Sequence, residues 1–404
     1  MRFHKNLVEG VVEVLDQIFN KEVYADRALE QHLRKNKQWG SRDRGFVAET
    51  VYDIVRWKRL YCEIAEVSAP FYSRDLYRLF AVWVVLKKES LPAWPEFKGV
   101  KEGALLERYK PLKKIRKFRE SIPDWLDALG EERLGSELWT AELAALNTQA
   151  PVILRANRLL TTPERLQELL EAEGIKTDLL PDYPDALQLE QRGNVFRTSA
   201  FQEGLFEVQD AASQTVAPFL EVAPGMRVVD ACAGAGGKTL HLAALMQNKG
   251  QLIGLDIYPQ KLKELKKRAK RAKAFNIETR LISDAKVIKR LKKSADRVLI
   301  DAPCTGLGVL RRNPDSNWKL EPAFLERFFT TQQELLQNYS GMLRPEGMMV
   351  YSTCSSLPNE NTDQVQPFLK SESGKGVRLV DVRSMYSSVD GFEGFYMARL
   401  KRVE

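Results

Sequence analysis

From Arg227 onward, short apolar runs alternate with helical stretches, and that alternation constrains the fold more than any other feature. The runs are Arg227–Asp230, Leu252–Asp256, Thr279–Ile282, Arg297–Asp301 and Met348–Ser352. Helical periodicity fills the spaces near 238–247, 259–274, 321–343 and 359–370. The pattern predicts an α/β fold with a doubly wound parallel sheet and a ligand site at the C-terminal strand ends. The final stretch, GFEGFYMARLKR, predicts a closing strand running antiparallel.

Upstream the texture differs. Up to about 145 the periodicity is helical: Leu7, Val11, Val14, Leu15 and Ile18 form one stripe, and Phe46, Val47, Val51, Ile54, Val55 and Trp57 another. Residues 74–88 read as a buried helix and LPAWPEFKG (91–99) as a break. From 150, PVILRANRL reads as a strand and TTPERLQELLEAEG as a helix, with Thr162 as N-cap and Pro163 at the first helical position. Short strands are expected over 187–210. Three domains follow: helical over 1–145, small α+β over 146–205, and α/β over 206–404. A chain of 404 residues is long enough for more than one core. Its opening stretch, carrying Glu9, Glu13 and Asp16, reads as an amphipathic helix and not a targeting signal. No apolar run reaches the ~18 residues of a membrane span. A soluble, cytoplasmic protein that does not engage a membrane is expected.

The first predicted strand runs into Asp230-Ala-Cys-Ala-Gly-Ala-Gly-Gly-Lys-Thr239. Glycines at that point let backbone N–H groups approach a ligand and open a helix N-terminus. Three ligands compete. A phosphate loop, GxxxxGK[ST], fits at Gly237, Lys238 and Thr239, but its first glycine is Cys232 here. A dinucleotide loop, GxGxxG, fits Gly234 and Gly236 and fails at Thr239. An S-adenosylmethionine loop needs a glycine turn after an acid-tipped strand, and an acid on the second strand to hold two ribose hydroxyls. Asp256 supplies that acid twenty residues beyond Gly236, and Asp284 follows the third strand, where an adenine amino group would lie. Together they favour the methyl donor.

Two of the four cysteines stand at strand ends. Cys304 lies in IDAPCTG and Cys354 in YSTCSS, both in polar turns. If those strands are neighbours, both thiols face one cleft with Asp301 beside them. Cys62 lies on an apolar helix face, and Cys232 sits in the glycine loop, where its backbone matters more than its thiol. No CxxC pair and only three histidines are present, so neither a disulfide framework nor a metal site is expected. A thiol and an acid beside a methyl donor suit C5 methylation of a pyrimidine. A thiolate adds at C6, C5 becomes nucleophilic, and an acid hydrogen-bonded to N3 stabilises the developing charge. Which thiol attacks is left open by this logic.

The stretches DACAGAGGKT, LDIYPQKL, DAPCTG, RRNPDSNW, YSTCSSLPNEN and GFYMARLKR closely resemble the Sun/Fmu/Nop-type RNA cytosine-5 methyltransferases through most of 209–404. VQDAASQ (208–214) and LRAN (154–157) extend the likeness upstream. The helical domain is similar to the NusB-like module preceding the core in one bacterial branch, on Asp26-Arg-Ala-Leu29 and SRDRGFVAETVY (41–52). The resemblance implies a Rossmann-like core using S-adenosylmethionine, preceded by a helical NusB-like RNA-binding domain and a small α+β, RRM-like module that walls the RNA cleft. It implies Cys354 as nucleophile and Cys304 as the group that helps release product. Asp301 then contacts the cytosine ring, and Lys238 lies near donor and base. The donor site would comprise Cys232, Ala233, Gly234, Ala235, Gly236, Gly237, Lys238 and Asp301, with Asp256 on the ribose and Asp284 on the adenine. One departure, Gly234-Ala235 in place of the usual Ala-Pro, bears on loop stiffness.

The formal net charge of +8 suits a polyanionic partner. RYKPLKKIRKFR (108–119) has seven Lys or Arg and no acid, and reads as an RNA contact. In KLKELKKRAKRAK (261–273), Leu262, Leu265, Ala269 and Ala272 form the buried stripe, so its basic residues read as a solvated face. KVIKRLKK (286–293) is a third basic run. The expected substrate is structured RNA, namely small-subunit (16S) rRNA, with the target cytosine unstacked into the pocket, and the expected state is a monomer. A tRNA-directed enzyme, a non-catalytic RNA-binding assembly factor and a P-loop NTPase are the alternatives.

Overall fold

The computed structural model describes residues 3–403. Two compact units emerge: one takes the chain up to Thr148 together with Leu310–Glu321, and the other takes Gln149–Val309 and the chain from Pro322 onward.

The first unit is helical. In the helix Lys5–Phe19 the predicted stripe is buried, and in Ser41–Arg56 Val47, Val51, Ile54 and Val55 are buried too. Both face a core shared with Ser73–Leu86, a helix buried along most of its length. The break expected at 91–99 contains a short 3-10 turn, Pro95–Phe97.

The sequence reading kept Leu310–Glu321 with the α/β domain, whereas it clusters with the helices. Its anchors are polar and specific. Asp315 Oδ2 accepts the Ala25 backbone N–H (3.0 Å) and the Lys319 ammonium (2.9 Å). Lys319 Nζ also lies 3.8 Å from the Tyr24 ring centre. Trp318 Nε1 donates to the Val55 carbonyl (2.7 Å), and its ring packs on the helical core. Trp318→Ala removes that contact and leaves Val55 O without its indole donor. The expected loss is about 2–3 kcal/mol, measured by denaturant unfolding with a probe confined to the helical unit.

The second unit holds two sheets. The smaller has strands β1 (Ile153–Ala156), β2 (Thr177–Leu179), β3 (Ala186–Leu189) and β4 (Phe206–Val208), in the order β2-β3-β1-β4 and antiparallel throughout. It runs to Val208, past the limit of 205 expected for this module. The helix Pro163–Ala172 starts as predicted, with Thr162 Oγ1 accepting from Arg165 N.

The larger sheet contains β5 (Arg227–Asp230), β6 (Gln251–Asp256), β7 (Ile277–Leu281), β8 (Ala295–Asp301), β9 (Leu343–Thr353), β10 (Val377–Met385) and β11 (Phe395–Arg402). The order is β10-β11-β9-β8-β5-β6-β7. β5 to β9 pair in parallel, and β11 runs antiparallel to β9, as expected. Strand β10, unexpected from sequence, extends the edge beside β11. Strands β5, β6 and β8 are apolar runs because helices cover both faces. The chain order reverses on either side of β5, which opens the crevice for a ligand at its C-terminal end. Among the described residues, no helix is long and apolar enough to cross a membrane.

Candidate active site

Beyond β5 the chain turns through the glycine loop into the helix Gly237–Leu245. Gly234 (φ +54°) and Gly236 (φ +92°) take left-handed backbone, which residues with a Cβ adopt at a cost. A Cβ added at Gly236 would also lie 2.2 Å from Leu265 Cδ1. Gly234 N donates to Asp256 Oδ2 (2.8 Å), and Tyr258 N donates to Asp256 Oδ1 (2.8 Å). The acid at the tip of β6 therefore sets the shape of the loop.

A cavity of about 300 Å³ lies over this loop. Of the predicted residues, Cys232, Ala233, Gly234, Ala235, Gly237, Lys238 and Asp301 line it. Asp284 does not: its carboxylate accepts Lys286 N (2.7 Å) and caps the helix Ala285–Lys289. Gly236 and Asp256 support the loop from outside the lining.

Four polar lining residues were missed by the sequence reading, besides the apolar Val208. Gln209 and Ser213, joined by a 3.1 Å hydrogen bond, enter from the segment after β4. Arg268 enters from the helix Pro259–Arg271. It donates to Ala235 O (2.9 Å) and, with Arg271, clamps the buried Glu207. The buried stripe of that helix is as predicted, but these two arginines face inward. Arg268 stands three residues after Leu265 and beside Ala269, so helical spacing could have placed it at the edge of the stripe.

The fourth is Asp230, read only as the acidic tip of β5. It is buried; Oδ2 accepts Thr239 Oγ1 (2.7 Å), and Oδ1 makes no hydrogen bond. Burial pushes its pKa up to about 7, against the pull of Thr239. An acid raised this way favours folding while protonated, and that contribution is lost as pH rises from about 4 through about 7. Asp230→Asn is therefore expected to be more stable than wild type at pH 8, with the difference vanishing toward pH 4. Thermal melts at the two pH values measure this.

Strands β8 and β9 are parallel neighbours, with Asp301 in register with Ser352. Their ends bring Cys304 Sγ and Cys354 Sγ to 3.4 Å, both as free thiols. Asp301 Oδ1 accepts Ser352 Oγ (3.0 Å), and Oδ2 accepts Lys238 Nζ (2.7 Å). Burial works against the Lys238 charge, but Asp301 outweighs it and holds the ammonium above its ordinary value. Cys304 is held as a thiol well above its ordinary range. The hydrogen bond with Cys354 contributes most, then burial, then the charges of Cys354 and Glu360. Burial likewise pushes Cys232 well up and Cys62, in the helical unit, up to about 12.

The basic run 108–119 is largely neutralised within its own unit. Arg108 pairs with Glu66, Lys110 with Glu107, Arg116 with Asp127 and Glu131, Lys117 with Asp124, and Arg119 with Glu120. Among the described residues, no group of three or more His, Cys, Asp or Glu is placed to hold a metal.

Residues 217–401 match the family model described as 16S rRNA methyltransferase RsmB/F. Residues 122–196 match the ferredoxin-like domain of RsmF/B-like methyltransferases. The chain is 32% identical over 319 residues to the ribosomal RNA small subunit methyltransferase B of Pasteurella multocida, covering 76% of this chain and 71% of that protein. It is 29% identical over 406 residues to the enzyme of the same name from Pseudomonas syringae pv. tomato, covering 90% of each. The crystal structure of PH0851 shares the fold, with a TM-score of 0.83 at 24% identity over 99% of both chains.

Proposed function

The chain belongs to the RsmB/F family of 16S rRNA methyltransferases, and from that premise we propose that it methylates C5 of a cytosine in structured small-subunit rRNA. The observation that carries the chemistry is the pair of sulfurs 3.4 Å apart beside the Lys238–Asp301 pair. S-adenosylmethionine, bound over the glycine loop, would supply the methyl group. The residues present fit it: the loop approaches through glycine backbone, and the unpartnered Asp230 Oδ1 is an acceptor for a polar group of the donor.

In this reading Cys354 adds to C6 of the cytosine and forms a covalent adduct. The family resemblance gives that step to Cys354 and the release step to Cys304, and the 3.4 Å contact lets a proton pass between the two sulfurs. Asp301 contacts the ring, and the Lys238 ammonium beside it stabilises negative charge developing there. Once C5 carries the methyl group, its proton leaves and the Cys354–C6 bond breaks, with Cys304 assisting. Asp256 shapes the donor loop; its role on the ribose, and that of Asp284 on the adenine, would require those carboxylates to take on the donor beside their backbone partners.

The helical unit and the four-stranded sheet are assigned to gripping structured RNA. Ion pairing leaves Lys113 and Lys114 as the members of the 108–119 run outside those pairs, so that run contributes two cations to the grip and not seven. The test is methylation with labelled S-adenosylmethionine of unmodified small-subunit rRNA and, separately, of tRNA. Digestion to nucleosides should give label in 5-methylcytidine from the rRNA. Label from tRNA alone would shift the substrate, and label in another nucleoside would refute the chemistry.

A further inference from the structure

The segment Asn359-Glu360-Asn361 closes the motif YSTCSSLPNEN that runs on from the end of β9. Glu360 is fully buried. Its Oε1 accepts Thr305 N (2.8 Å) and Gln332 Nε2 (3.1 Å), and its Oε2 accepts Thr305 Oγ1 (2.5 Å). Gln332 Nε2 also donates to Pro303 O (3.0 Å). Both residues flanking Cys304 are therefore tied to Glu360, directly or through Gln332. The next residue does the same for the other thiol: Asn361 Oδ1 accepts Thr353 Oγ1 (2.5 Å), and its Nδ2 donates to Ser355 O (2.9 Å). Tyr351 on β9 closes the frame by donating to Glu360 O (2.7 Å).

Burying a carboxylate is unfavourable unless hydrogen bonds offset its desolvation. Here the offset comes from donors that belong to the Cys304 loop or hold it. We propose that Glu360 is a positioning residue for product release: through Thr305 and Gln332 it fixes the Cys304 loop against the Cys354 loop and so sets the contact between the two sulfurs. The inference rests on the two-cysteine chemistry above. In release, the C5 proton passes to solvent water and its electron pair re-forms the C5–C6 double bond. The Cys354–C6 bond breaks with its electrons on Cys354 sulfur, and that sulfur takes the Cys304 proton; solvent later reprotonates Cys304. The Glu360 charge adds to the hydrogen bond and burial that keep Cys304 protonated for this step.

The experiment follows a single turnover of wild type, Glu360→Gln, Thr305→Val and the double variant on unmodified small-subunit rRNA with S-adenosylmethionine. Cys304→Ala runs alongside, and denaturing gels follow the adduct. Glu360→Gln is expected to form adduct within about threefold of the wild-type rate and to release it about tenfold or more slowly. Thr305→Val, which keeps its backbone N–H, slows release less, and the double variant is no slower than Glu360→Gln, as expected for one shared interaction. Release should also lose rate at a lower pH in Glu360→Gln, where the Cys304 proton is held less firmly; a merely structural defect would leave the pH profile in place. Unchanged release in both single variants, while Cys304→Ala traps an adduct, overturns the role of Glu360 and leaves the two-cysteine chemistry standing. No adduct in Cys304→Ala overturns the chemistry and this inference with it. If Glu360→Gln does not fold, Thr305→Val decides by the same criteria.

Discussion

Cys304→Ala, incubated with unmodified small-subunit rRNA and S-adenosylmethionine, is expected to run on a denaturing gel as a stable protein–RNA adduct. Wild type should show little of it. The sulfur of Cys304 lies 3.4 Å from that of Cys354, and its environment holds its proton in place. The family resemblance assigns release to Cys304 and attack to Cys354, and the contact gives a departing Cys354 sulfur a proton donor within reach. Without it the Cys354–C6 bond forms but breaks slowly. Turnover should fall by roughly 10²-fold or more, the scale of a lost proton donor. Cys354→Ala should form no adduct and lose turnover by on the order of 10⁴-fold or more, as expected for a missing nucleophile. The asymmetry between the two variants is the diagnostic result, since a general loss of folding would remove the adduct from both.

Asp301→Asn is the second large effect. The change leaves the volume nearly constant but removes the counter-charge of Lys238, a mostly buried ammonium 2.7 Å away. Leaving a buried charge unpaired costs about 3–5 kcal/mol. Losing charge stabilisation at the reacting ring should lower turnover by about 10²–10³-fold. The pH dependence distinguishes this cause from a packing defect. In wild type the raised Lys238 pKa contributes stability that is lost as pH rises through it, above 10.5. In Asp301→Asn burial is opposed only by the weaker charges of Cys354 and Asp230, so the lysine pKa falls from its wild-type position and the neutral amine is less disfavoured in the folded state. The stability deficit should therefore be full near pH 7 and shrink as pH rises toward 10. Urea unfolding at pH 7 and pH 9.5 measures it; a deficit that stays constant contradicts the assignment.

Four of the seven strands of the large sheet were legible as apolar runs in a parallel arrangement, β7 (IETRL, with no fully buried residue) from its place in the alternation, and β11 from the closing GFYMARLKR. Strand β10 was not. It is an edge strand whose side chains are mostly exposed, and VRLVDVRSM carries charges that suit solvent. The Cys304–Cys354 pair could be anticipated because neighbouring parallel strands end on one side, given only that β8 and β9 are adjacent. The place of Leu310–Glu321 could not. Its binding is to backbone groups such as Ala25 N and Val55 O, which leave no pattern in composition or periodicity. Glu360 was hidden for a related reason: in a polar stretch a glutamate reads as surface, and only the tertiary fold surrounds it with Thr305 and Gln332. Asp284 went the other way. It was placed toward an adenine by its position after the third strand, and its carboxylate also caps a helix through local geometry, which an Asp two residues before an available N–H does readily. The basic run 108–119 looked uncompensated because its carboxylates arrive from outside the run: Glu66, Asp124, Asp127, Glu131 and the adjacent Glu120.

The central claim is that Cys354 is the atom source of the bond to RNA and Cys304 is not. It is tested most directly by trapping the Cys304→Ala adduct, digesting the protein and the RNA, and sequencing the nucleotide-bearing peptide by mass spectrometry. The account predicts one modified cysteine, Cys354, carrying a methylated cytidine. A trapped nucleotide on any other cysteine of that variant, or a Cys354→Ala protein that traps its own adduct at Cys304, would contradict it.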